Sequence, residues 1–249
     1  MFELPEFVTL AKQMNDCLTG KVIAQGELGN SPHKFVWYNR SHDEFARMTR
    51  GKAIGTARAK GKWLFLPLQP GYLLLLGECG GKVLYHPPGE EAPDKYHLKL
   101  RFEDGASLTA MTQMWGAMEL YEQGQEERHY VKGMRPTPIE PAFSPAYFDA
   151  LVDSLLPEKR RSAKSLLTQD QIIPGLGSAI AQDILYRAQL HPKHPLAELD
   201  PTQRRALYAA IVDTVHAVIE KGGRYDEVDL YNHPGGYVRR MDRSCLLYT

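Results

Sequence analysis

The chain has 249 residues, 43% of them apolar, enough to bury one or two hydrophobic cores without disulfide or metal staples. Its longest apolar stretch, Tyr72 to Leu76, is far too short to cross a bilayer, and its first twenty residues carry early acids instead of a basic-then-apolar leader, which argues against secretion and for a cytoplasmic protein without a membrane partner. Cys17, Cys79 and Cys245 are odd in number and widely separated, which fits a reducing compartment, and 30 basic residues balance 30 acidic ones, a mild argument against nucleic-acid binding.

In chain order, Phe7, Leu10, Ala11, Met14, Cys17 and Leu18 fall on one helical stripe, so residues 5–18 are predicted to form an amphipathic helix packed by that face. Six cations follow without an intervening acid: Arg47, Arg50, Lys52, Arg58, Lys60 and Lys62. Such a run suits a phosphate backbone, or is plain solvated surface. Short apolar or alternating segments at 62–68, 72–76, 82–85, 96–102 and 107–111 are broken by Gln69-Pro70-Gly71 and Glu103-Asp104-Gly105 turns. They predict antiparallel strands in a sandwich or barrel.

Composition then shifts to proline, with Pro136, Pro138, Pro141 and Pro145 in quick succession, a linker signature. Beyond it the period is helical. Ser144 can cap, and Pro145 can open, a helix carrying Phe148, Leu151, Val152 and Leu155. A second basic cluster, Lys159, Arg160, Arg161 and Lys164, precedes the turn IIPGLGS at 172–178, and a long final helix runs from Asp200-Pro201 to a Gly222-Gly223 stop. The expected fold is α+β with two domains. An N-terminal β-sandwich with a leading helix covers 1–135, a linker 136–143, an all-helical domain 144–223, and a remnant 224–249.

In IIPGLGS, two glycines and a proline stand before the apolar-striped segment Ile180, Ile184, Leu185, Ala188. The backbone N–H groups of such a turn lie at the positive end of a helix dipole, which suits a phosphate, although glycines before helices also solve packing problems. His86, His97, His191 and His233 have no metal-ligand spacing. Triad spacing, P-loop and dinucleotide fingerprints are absent, which leaves an unrelated α+β activity without support.

The opening Met1-Phe2-Glu3-Leu4-Pro5-Glu6, the stretch KSLLTQDQIIPGLGSAIAQDILYRAQLHP at 164–192, RAKGKWLFLPL at 58–68, and Gly222-Gly223 through Asp229 to Gly235-Gly236-Tyr237 together resemble the formamidopyrimidine-DNA glycosylase/endonuclease VIII family. The resemblance implies a β-sandwich followed by a helix-two-turn-helix domain, acting as a monomer on double-stranded DNA that contains damaged bases or abasic sites. It implies base-excision chemistry: oxidised-base glycosylase with abasic-site lyase activity, closer to endonuclease VIII than to the 8-oxoguanine type. The damaged nucleotide is extruded, an amine attacks C1′, and a carboxyl group manages the ring-oxygen proton. On this reading Met1, Phe2, Glu3 and Lys62 form the catalytic set, with Glu3 as the acid/base and Lys62 near the phosphates. Lys60, Lys164, Gly175, Gly177, Ser178 and Tyr237 contact DNA, and Met114 and Trp115 enter the base stack.

Several positions depart from the family pattern. The family begins Met-Pro-Glu-Leu-Pro-Glu, and removal of the methionine frees the proline amine; here Phe2 keeps Met1 in place and sets the amine one residue, up to about 3.5 Å, further out. A 1 Å misplacement can cost on the order of a hundredfold in rate. Three outcomes stay open: the Met1 amine is accommodated, Lys62 supplies the Schiff-base amine, or the protein is a damaged-DNA binder that does not cut. Ser178 replaces an asparagine, Glu78 stands where an apolar residue fills the vacated space, and Gln113-Met114-Trp115-Gly116 replaces Arg-Arg-Phe-Gly, losing the arginine that reads the orphaned cytosine. Core packing is the other reading of Met114 and Trp115. The family's zinc finger is unmatched in the tail MDRSCLLYT, where Cys245 alone cannot hold zinc, so no cofactor is expected. The tail reads as truncated or frame-disrupted, or as that of a fingerless member.

Overall fold

The structure is a computed structural model that describes residues 1–29, 35–77, 80–126, 131–157 and 161–241. Glu78, Cys79, Lys159, Arg160, Cys245 and the rest of the tail lie outside the described residues.

The leading helix α1 spans Leu4–Cys17 and opens with Pro5 in its first turn, while the Glu6 carboxylate accepts the Glu3 N–H at 2.8 Å. Its apolar stripe, Phe7, Leu10 and Met14, is buried in the sandwich core. Ten strands follow: β1 Ile23–Leu28, β2 Val36–Tyr38, β3 Ala53–Ile54, β4 Arg58–Lys60, β5 Trp63–Gln69, β6 Tyr72–Gly77, β7 Gly81–His86, β8 Leu98–Phe102, β9 Ser107–Thr112 and β10 Gly116–Glu122. A short helix α2, His42–Thr49, lies on β1. One sheet has the order β1-β8-β9-β7, the other β2-β10-β6-β5-β3 with β4 also paired to β5. All pairings are antiparallel except β2 with β10. Alternation sends Leu64, Leu66 and Leu68 of β5 into the same core as Leu98 and Leu100 of β8, the half-buried pattern of a two-sheet packing.

The second half holds α3 Pro145–Leu155, α4 Ala163–Thr168, α5 Ser178–Arg187 and α6 Pro201–Glu220 around a separate core. Ser144 accepts the Tyr147 N–H and caps α3, and Asp200 accepts from Thr202 and Gln203 to cap α6. Helices make up most of this half. A short 3-10 turn at Leu196–Glu198 and isolated bridges, Ser162 with Pro195, Arg224 with Tyr237 and Val228 with Pro234, tie the connections. After α6 the chain returns to the sandwich, where Leu230 joins the first core and its carbonyl accepts the Tyr85 N–H at 2.9 Å.

The two cores meet at the start of the chain. Phe2 is packed in the sandwich core and Leu4, two residues on, in the helical one.

His86, at the end of β7, is buried with Nε2 at 2.9 Å from Thr109 Oγ1. Burial lowers its pKa from 6.5, opposed by Glu90. The folded protein therefore takes up this proton less readily than the unfolded chain, and stability present above the unfolded pKa is lost as pH falls. Urea unfolding across about pH 7.5 to 5.5 is expected to show declining stability, with a shallower decline in His86→Gln.

Candidate active site and nucleic-acid interface

The first six residues are built into the seam between the domains. Leu4 N–H donates to Gly175 O at 2.9 Å. The buried Glu3 carboxylate accepts from Gly177 N–H at 2.9 Å and Ala179 N–H at 3.0 Å. Helix α5 begins with a residue that has no side chain to cap it, Gly177, and Glu3 supplies the cap from 174 residues away. Burial raises the Glu3 pKa, while Arg224 and Lys62 pull it back.

That contact explains the glycines of the turn. Gly175 has φ +92°, and a Cβ there would lie 2.5 Å from Leu4 Cβ; a Cβ on Gly177 would lie 2.4 Å from Glu3 Oε1. The expectation that these turn amides await a phosphate is corrected on this point, because Gly177 and Ala179 already serve the protein's own carboxylate.

Arg224, buried just after the Gly222-Gly223 stop, holds the seam from the other side. Its Nε donates to Glu6 Oε1 at 3.1 Å, and its Nη2 to Met1 O at 2.7 Å and Glu227 Oε1 at 3.4 Å. Burial alone would lower its pKa, but Glu6, Glu3 and Glu227 outweigh it and raise it. The Met1 ammonium donates to Glu227 Oε1 at 2.5 Å. Met1 and Glu227 line a cavity of about 190 Å³ with Gly80, Lys82, Gln113 and Met114. Gly80 packs against the chain start: a Cβ on it would lie 3.3 Å from Met1 Cα.

The other sequence candidates are spread around this centre. Phe2 is 0% exposed and packs edge-on against Phe7, with ring centroids 5.7 Å apart, so its side chain anchors the segment and meets no ligand. Lys62 lines a separate cleft of about 470 Å³ between the domains, with Lys132, Arg135 and Arg161. That cleft and the Met1 cavity share no lining residue, while the Lys62 charge reaches the buried Glu3 carboxylate of the first segment. Lys60 lies at the surface, 3.5 Å from Glu140. Lys164 and Ser178 come together on a groove of about 610 Å³ beside α5, with His191 and Pro192. Met114 and Trp115 are exposed, so core packing does not describe them.

Tyr237 is corrected: it is 7% exposed, and its hydroxyl donates to Asp183 at 2.9 Å. Burial and that bond push its pKa up to about 12. Asp183 also accepts from the Arg240 and Met241 amides, so the pair fastens the chain's return onto α5. Among the described residues no group of three or more His, Cys, Asp or Glu side chains could hold a metal ion. Sequence reasoning missed Arg224, Glu227 and Asp183. Glu6 within ELPE and Arg224 after Gly-Gly were visible signals, but nothing local pairs residues 218 positions apart.

Two family models match the chain: "Formamidopyrimidine-DNA glycosylase N-terminal domain" over residues 1–117 and "Formamidopyrimidine-DNA glycosylase H2TH domain" over 136–228. A formamidopyrimidine-DNA glycosylase of Salinispora arenicola is 29% identical over 254 residues, covering 100% of this chain and 85% of that protein. The one from Bacillus anthracis is 26% identical over 225 residues, covering 90% and 79%. Among solved structures, the Lactococcus lactis Fpg in complex with abasic-site DNA shares the fold with a TM-score of 0.79 at 22% identity, covering 94% of this chain and 83% of that one.

Removing one partner of a buried ion pair leaves the other charge uncompensated. Arg224→Ala is expected to lower stability by about 3–5 kcal/mol in urea unfolding at neutral pH. Gly177→Ala drives a Cβ into Glu3 and is expected to cost about 1–3 kcal/mol. In a double-mutant cycle Gly177→Ala with Glu3→Ala should cost less than the sum of the two, because the carboxylate that clashes is gone.

Proposed function

We propose that this chain, which belongs to the formamidopyrimidine-DNA glycosylase/endonuclease VIII family, is a base-excision DNA glycosylase with abasic-site lyase activity. Its substrates on this reading are oxidised bases in double-stranded DNA, which it engages as a cytoplasmic monomer. No described helix is long and apolar enough to cross a membrane. The single observation that carries the reading is the Met1 amine, in contact with the Glu227 carboxylate where both line a cavity at the domain seam.

Glu227 takes the proton of the Met1 ammonium, and the neutral amine attacks C1′ of the extruded nucleotide. The C1′–N bond to the enzyme forms as the glycosidic bond breaks, and the base leaves with that electron pair and collects a proton. Opening of the sugar ring sends a proton to O4′ and leaves an iminium at C1′. The lyase step removes a proton from C2′ and expels the 3′ phosphate, and hydrolysis of the imine frees the amine. Glu3, held by the Gly177 and Ala179 amides and with its pKa raised by burial, fixes the segment that carries the amine and is the carboxyl group that hands the proton to O4′. Lys62, Lys132, Arg135 and Arg161 give their cleft a positive lining suited to backbone phosphates, so binding weakens as salt rises.

Borohydride trapping on an abasic-site duplex, followed by mass-spectrometric mapping, tests this. A cross-link on Met1 is expected, slowed roughly a hundredfold in Glu227→Gln without loss of DNA binding. A cross-link on Lys62 would move the nucleophile to the basic cleft. Binding with no cross-link would make the protein a damaged-DNA binder.

A further inference from the structure

A base expelled from C1′ carries the electron pair of the glycosidic bond and needs a proton. The titratable groups lining the Met1 cavity are the Met1 amine, Lys82, Asp226 and Glu227. Met1 is the nucleophile and Glu227 the base that frees it. Asp226 faces two arginines, Arg239 Nη2 at 3.0 Å and Arg224 Nη1 at 4.0 Å, and an ionised carboxylate accepts hydrogen bonds and donates none. That leaves Lys82, an ammonium with three protons and no acceptor.

The fold aims this side chain and holds it. Lys82 lies on β7, an edge strand of the smaller sheet, and its neighbour Val83 is packed in the sandwich core, so alternation turns Lys82 to the opposite side. Its Nζ donates to Asn232 Oδ1 at 2.8 Å. Asn232 has φ +63° in a turn that Asp229 closes by accepting the Tyr231 and His233 amides, and asparagine tolerates that left-handed conformation. The Leu230 carbonyl ties the same turn to Tyr85 of β7. Because the partner is a neutral amide, one proton is engaged and the charge is kept. Lys82 is also exposed, so water can restore a proton that it gives away.

We propose that Lys82 is the acid of base excision, protonating the base as it leaves C1′. The inference rests on the glycosylase reading. One Nζ–H bond breaks and its electron pair stays on the lysine nitrogen. The proton joins the base nitrogen that took the glycosidic pair, and water reprotonates the neutral amine. Reaction at an abasic site expels no base and does not call on this proton, so Lys82 separates two activities that share one nucleophile.

The test compares two single-turnover rates of the full chain: release of dihydrouracil or 5-hydroxyuracil from a duplex, and borohydride trapping on an abasic duplex. The saturated ring of dihydrouracil spreads the leaving charge less than 5-hydroxyuracil does and depends more on an acid. In Lys82→Gln the ratio of dihydrouracil release to abasic trapping should fall about a hundredfold, and the 5-hydroxyuracil ratio about tenfold. Lys82→Arg keeps the charge on a group that does not surrender a proton, and should stay as slow as Lys82→Gln on dihydrouracil. Unchanged ratios, or equal losses on the two bases, would overturn the proposal and make Lys82 a binding or structural contact. Wild-type rates in Lys82→Arg would also overturn it, since charge alone would then suffice. So would a wild type that traps on abasic DNA and releases neither base. A wild type that neither traps nor releases would instead remove the glycosylase reading beneath it.

Discussion

The buried ion pair between Arg224 and Glu6 is the contact on which the arrangement of this molecule turns. Each charge is nearly sealed from water, a position tolerable only when both are fully partnered. Glu6 receives Arg224 and the Glu3 amide, while Arg224 also reaches Met1 O and Glu227. The start of α1 and the segment after α6 are thereby locked at a fixed spacing. With Phe2 in one core and Leu4 in the other, no slack remains in the segment that presents the terminal amine.

Formal neutrality conceals a separation of charge. Glu3, Glu6, Glu119 and Asp183 are buried, three of them at the seam or on α5, where they meet backbone amides or arginine. Lys62, Lys132, Arg135 and Arg161 line an open cleft instead. A count of 30 acids against 30 bases therefore says little about the face a polyanion would meet.

The elements with strong local periodicity were legible in the sequence: α1 from its apolar stripe, β5 to β9 from alternation and turns, α3 and α6 from their caps. β1 was not, because Gly26 breaks its pattern; that glycine is there so that Thr49 of α2 can approach, its Oγ1 lying 2.2 Å from where a Cβ would sit. β2 has three residues and takes its place from pairing with β10. At the site, the family-like motifs name segments of the chain but carry no information on the direction of each side chain. Tyr237 stands in a segment that resembles the family pattern, yet Asp183 draws its hydroxyl inward. Phe2, the residue that most disturbs the family pattern, becomes a core anchor, since a phenyl ring at the chain start gains more by burial against Phe7 than by exposure.

The span of the seam has a consequence for biosynthesis. Met1 and Glu227 are separated by 226 positions, so at about 5–20 residues per second the first residue leaves the ribosome roughly 10 to 45 s before its partner exists. Throughout that interval strands can pair and helices can cap, but the ends of the seam have nothing to close on. A nascent or prematurely terminated chain lacking the segment after α6 would carry much of the folded scaffold and none of the charged setting of its first residue. The charged setting of Met1 is thus complete only once the segment after α6 has been made.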